Sequence, residues 1–92
     1  MSKQEAFKFL ERMEKDQGFR EQIKNAKDGN AKKAVLQAAN LNFTKQEVEE
    51  AMKEKYKQPL TPDQLKNIAA AGGQGIRSIE DYKKWILTSA AQ

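Results

Sequence analysis

The sequence predicts an all-α fold: a small helical bundle of short helices followed by a flexible or partly helical C-terminal tail. Three observations carry this expectation. Ala, Glu, Lys, Leu, Gln, Arg and Met supply 56 of the 92 residues, and these side chains lose little freedom in a helix. Prolines number 2 and β-branched residues are few, which argues against an all-β fold. Cap-forming side chains also stand repeatedly ahead of apolar residues at helical spacing. Leu, Ile, Val and Phe number only 17, so a single core of marginal stability is expected. A net charge of +4 is too low to force disorder.

The elements follow in order. Ser2 and Glu5 have capping-box spacing and open a helix near 3–15 with Phe7, Leu10 and Met13 on its stripe. On that reading Phe9, beside the stripe, is left exposed as a contact for a partner. Asp16 caps a second helix, near 17–26, with Phe19, Ile23 and Ala26 on one face. Asp28-Gly29-Asn30 reads as a break. A third helix, near 31–39, carries Ala31, Ala34, Val35, Ala38 and Ala39, small enough for close helix approach, and Asn40 ends it. Thr44 and Glu47 form a second capping box, opening a helix near 45–56 that buries Val48, Ala51, Met52 and Tyr56.

Residues 57–60 read as a connector. Thr61-Pro62-Asp63-Gln64 is a strong helix start, with a cap, proline at the first helical position and Gln three residues after the cap. That helix holds Leu65 and Ile68 and runs into Ala70-Ala71-Gly72-Gly73. Three glycines within residues 72–75 predict a flexible, protease-accessible hinge. Beyond it, Ser78 caps an amphipathic segment containing Ile79, Tyr82, Trp85 and Ile86. The chain thus divides into a helical body (1–56), a connector with a short helix and double glycine (57–73), and a separate C-terminal piece (74–92).

Absent residue types exclude whole chemistries. With no Cys and no His there are no thiolate or imidazole metal sites, no cysteine nucleophile, no Ser-His-Asp triad and no disulfide. No cofactor and no metal are expected, and the chain does not read as an enzyme. No apolar run approaches the roughly 20 residues that span a bilayer, and the N-terminus lacks the pattern of a secretory signal. A cytoplasmic chain, monomeric and without membrane insertion, is the expectation. The lysines at 24, 27, 32 and 33 and at 53, 55 and 57 are interleaved with carboxylates, which suits solvated helix faces and no nucleic-acid partner. Glu47, Glu50 and Glu54 share a helix face, with Lys53 and Lys57 as expected ion-pair partners rather than a metal.

By itself Gly72-Gly73 reads as a helix C-cap and turn. Followed by a short, distinct tail, it also has the layout of a precursor: leader, cleavage site, core. Phe7-Lys8-Phe9-Leu10-Glu11, then Asp16 through Ala26, then Ala38 to Val48 resemble the Nif-eleven (nitrogen-fixation-type) leader peptide family, whose members head precursors of ribosomally synthesised, post-translationally modified peptides. Leu60 to Ala69 resembles the end of such a leader, which closes on a double glycine. The resemblance spans residues 2–73. Asn40 stands where the family usually has Gly, and residues 1–71 are basic (14 against 11 acidic) where leaders are usually acidic. Without Cys the tail excludes a lanthionine product.

The resemblance implies a substrate held by a modifying enzyme (a maturase) and by a peptidase-containing transporter, with the processed core exported. Two cleavage positions stay open. Counted from Ala71, the apolar positions expected four, seven and twelve places back are Ile68, Leu65 and Leu60. Counted from Gly73 they are Ala70, Asn67 and Pro62, a poor match, although Gly72-Gly73 is the better pair by identity. Phe9, Leu60, Leu65 and Ile68 are the expected recognition residues. In the tail, Tyr82, Lys83, Lys84 and Trp85 are the expected targets of modification, two rings and two amines preceded by Glu80 and Asp81. The rival reading is a stand-alone helical interaction module whose C-terminal helix packs on the body.

Overall fold

The computed structural model describes residues 2–89. Six helices run in order: α1 (Lys3–Lys15), α2 (Gln17–Asn25), α3 (Gly29–Ala38), α4 (Lys45–Lys55), α5 (Pro62–Ala70) and α6 (Ile79–Ser89). There is no strand among the described residues. Each helix is opened by a side-chain oxygen that satisfies an amide of its first turn. Ser2, Asp16, Asp28, Thr44, Thr61 and Ser78 accept from the amides of Glu5, Phe19, Ala31, Glu47, Gln64 and Asp81 respectively. Thr44–Glu47 and Thr61–Gln64 are complete capping boxes. The Ser2–Glu5 box is half made. The Ser2 amide donates instead to the Asn42 carbonyl at 3.2 Å, and the Asn42 amide donates to Glu5 Oε1 at 2.9 Å, stitching the start of α1 to the loop before α4. That amide holds the Glu5 carboxyl below the usual range.

α1 is the hub. It packs most extensively on α4 and also on α2 and α5, while α6 lies on α3 and α4. Ala6, Phe9, Leu10 and Met13 form its buried face, so the inward stripe is not the one expected from Phe7. Phe9 is fully buried, edge-on to Phe19 (centroids 6.0 Å apart) and against Phe43 (5.2 Å). It is therefore no surface contact for a partner, and Phe7 is the half-buried ring. The Arg12 guanidinium covers the Phe19 ring at 4.4 Å. The Asp28-Gly29-Asn30 break contains the cap and first turn of α3, which starts earlier than expected. That helix buries Leu36 and leaves Ala34 and Ala38 exposed, so its alanines make no close helix seam.

Asn40 takes the left-handed conformation (φ 59°) that ends α3. Its amide reaches the Gln37 carbonyl and the Leu41 amide the Leu36 carbonyl, a Schellman closure that seats Leu41 in the core. In α4, Val48, Ala51, Met52 and Tyr56 are buried as expected. Its carboxylates find other partners than Lys53 and Lys57. Glu54 pairs with Lys3 (2.7 Å), and Lys55 with Glu14 of α1 (3.4 Å). The C-terminal part is the main correction. It is helical and packed, because Tyr82 and Ile86 are buried in the same core as Leu10 and Val48.

Candidate functional site

The candidate site is the run from Leu60 to Ile86, where α5 ends and α6 docks. α5 is fixed at its start by the Thr61–Gln64 box, with Pro62 in the first turn where a missing N–H costs nothing. It is fixed sideways by Glu14 of α1. Gln64 Nε2 donates to Glu14 Oε1 at 3.0 Å, and Asn67 Nδ2 to the Glu14 carbonyl at 3.3 Å. α5 ends in a second Schellman closure. The Gly72 amide donates to the Ala69 carbonyl at 3.0 Å and the Gly73 amide to the Ile68 carbonyl at 2.9 Å, with Gly72 at φ +98°.

The two glycines have separate reasons to be glycine. At Gly72 the backbone sits where L side chains are strained, although space is open, with Lys24 Cα 3.6 Å from a would-be Cβ. At Gly73 the obstacle is packing. A Cβ would stand 2.7 Å from Ile68 Cγ2 and 2.8 Å from Ile76 Cδ1. The segment expected to be an open hinge is thus a closed helix end. Ala71 and Gly73 are buried, while Ala70 and Gly72 face solvent. Of the expected recognition residues, Leu60 and Ile68 are buried with Phe9, and Leu65 is half-buried. All four turn into the core.

Across the connector, Ser78 caps α6 and Asp81 accepts from the Arg77 amide. The four residues expected to be modified split by face. Tyr82 is fully buried, and Trp85 is half-buried and stacked on it (6.1 Å, 26°). Lys83 pairs with Glu80 at 3.3 Å, and Lys84 is exposed. The Tyr82 hydroxyl has no hydrogen-bond partner. Tyr56, whose ring lies 6.1 Å away, and the Glu14 carboxylate are its polar neighbours, and neither makes a well-formed hydrogen bond to it. Burial, and then these neighbours, push the Tyr82 hydroxyl well above its usual value. Burial and then Glu14 push Tyr56 up as well.

Glu14 and Ile76 complete the site and were not singled out in the sequence. Ile76 had a signal, as a lone apolar residue between the glycines and Ser78. Glu14 had none, since its role is set by what α4 and α5 bring to it. Among the described residues no three acidic side chains converge on a metal-sized site, and no helix is long and apolar enough to cross a membrane.

Fold and site together define a small helical domain with one further helix hung on a capped double glycine. The model of the Nif11 domain matches residues 1–48, just over half of the chain, and the chain belongs to this family, that of leader peptides of precursors of ribosomally synthesised, post-translationally modified peptides. The family is not known to be catalytic. No curated protein and no solved structure gives a significant match.

Proposed function

We propose that the chain is a precursor peptide in which residues 1–73 are the leader and residues 74–92 the core that is modified and released. The observation that carries this reading is the Nif11 match over residues 1–48. A leader works by tethering: once it is held by a maturase, the effective concentration of the tail at the active site rises without any contact from the tail itself. A peptidase-containing transporter then cuts after Ala71 or after Gly73. Leu65 and Ile68 lie on the inward side of α5 and Leu60 is buried just before it, so recognition through them engages this segment after it has left the body. Tyr82, Lys83, Lys84 and Trp85 are the modification targets on this reading, by carbon–carbon cross-linking of the rings with two hydrogens lost to an oxidant that the maturase supplies, or by condensation of a lysine amine with the Glu80 or Asp81 carboxyl with loss of water.

A second reading is favoured by one observation. α6 packs on the body through Tyr82 and Ile86, and Gly72-Gly73 closes a helix, as a stand-alone interaction module requires. Tandem mass spectrometry of the chain, expressed with and without the enzymes encoded beside its gene, separates the two. A tail beginning at Gly72 or Gln74 and altered within residues 79–85 supports the precursor. An intact, unaltered chain under both conditions supports the module.

A further inference from the structure

We propose that α6 is a latch: it opens as a unit while α1–α5 stay folded, and when closed it shields residues 70–75 from peptidases. The proposal rests on the precursor reading for its purpose, since only a chain destined to be cut gains from a guarded cut site.

Three observations carry it. First, α6 is attached differently from α4 and α5. α5 is bound to α1 through Gln64, Asn67 and Glu14, and α4 to α1 through the Glu54–Lys3 and Lys55–Glu14 pairs. Among the described residues no ion pair joins α6 to the body, and its one polar approach is between the Tyr82 and Tyr56 side chains, which form no well-made hydrogen bond; its other polar contacts stay within residues 77–88. Its hold is apolar, through Tyr82 and Ile86 with Ile79, Trp85 and Leu87 half-buried beside them. Second, that hold carries a penalty, because docking strips water from the Tyr82 hydroxyl and gives it no partner. Third, the main helix partners of α1 do not include α6. Ala6, Phe9, Leu10 and Met13 of α1 face α4, α2 and α5, whereas α6 touches α3 and α4.

The guarded segment lies between the end of α5 and the start of the docked α6. A peptidase needs its substrate extended through several residues. Here Gly72 and Gly73 are held in the end of α5, and Ile76, on the way to α6, lies against Gly73. Extending this segment means pulling Ile76 away and unwinding the helix end, which a docked α6 resists from the far side.

The test uses the full chain and proteinase K, with no maturase or exporter present, so the latch can fail while the precursor reading stands, and the reverse. Where opening is fast relative to cleavage, the rate of cutting tracks the open population. The first cut in the wild-type chain is expected within residues 70–78. Tyr82→Phe removes the partnerless hydroxyl and should slow that cut about tenfold. Ile86→Ala should speed it at least about tenfold, with the first cut at the same place. Far-ultraviolet circular dichroism of Ile86→Ala should show loss of no more than the 11 residues of α6. First cuts inside α1–α4, an unchanged rate in Tyr82→Phe, or collapse of the whole helical signal in Ile86→Ala would each overturn the latch.

Discussion

Replacing Gly73 by Ala tests whether the double glycine is a built helix end or a loose linker. A Cβ there meets Ile68 Cγ2 at 2.7 Å, Ile76 Cδ1 at 2.8 Å and the Ile68 carbonyl oxygen at 3.2 Å. Ile76 can yield, because its Cδ1 is the far end of a half-buried side chain. Ile68 yields less, being β-branched, buried and part of the helix whose carbonyl the Gly73 amide needs. Overpacking of this kind costs about 1–3 kcal/mol. Gly72→Ala should cost less, roughly 1–2 kcal/mol for the left-handed backbone, offset by about 0.4–1 kcal/mol from a stiffer unfolded chain. Ile76→Val deletes the Cδ1 atom, so Gly73→Ala combined with Ile76→Val should cost less than the sum of the two single changes. Urea unfolding followed at 222 nm gives all four stabilities. Gly73→Ala within about 0.5 kcal/mol of wild type, a surface-like effect, would show that the segment is not packed as described. Strict additivity with Ile76→Val would show that the two residues do not touch.

Three further outcomes are expected. Tyr56 and Tyr82 are held neutral above their ordinary value near 10. Their contribution is therefore complete below pH 10 and lost as pH rises past it, so absorbance at 295 nm should show tyrosinate appearing together with loss of helix. Thr44→Ala and Thr61→Ala each remove a capping box and should lower stability by about 1 kcal/mol in chemical denaturation. Asn40→Gly should be nearly neutral, while Asn40→Ala should lose roughly 1 kcal/mol at φ 59°, read as shifts in the urea midpoint.

Local chemistry made the helices legible. Five of the six cap residues, Asn40 as a terminator and the Val48–Ala51–Met52–Tyr56 face follow from side chains acting within a few residues of themselves. In α1 and α3 the inward face departs from the pattern that the most conspicuous side chains suggest. Phe7, Leu10 and Met13 make a plausible stripe, but Ala6, Phe9, Leu10 and Met13 fit a helix face better, and the small Ala6 hid it. In α3 the run of alanines drew attention from Leu36, its one fully inward residue. The double glycine was misjudged for a different reason. Its cap was readable, but its burial depends on Ile68 from one side and Ile76 from the other, and on a helix beyond it finding Tyr56. No local pattern contains that meeting. The same holds for Glu14, which the sequence shows only as one carboxylate among many.

The position of α1 as hub has a kinetic consequence. α1 packs chiefly on α4, about 40 residues further along, and on α5 further still. Those partners must be synthesised, and the intervening chain closed as a loop, before α1 gains most of its burial. Although all-α, the chain therefore has the contact pattern of a slower folder than an up-and-down bundle of the same length. Before residues 45–55 are made α1 lacks its chief partner, so part of its buried face stays open to other binders until α4 arrives. The nascent chain thus has a period in which the buried face of α1 is available, and the completed fold ends it.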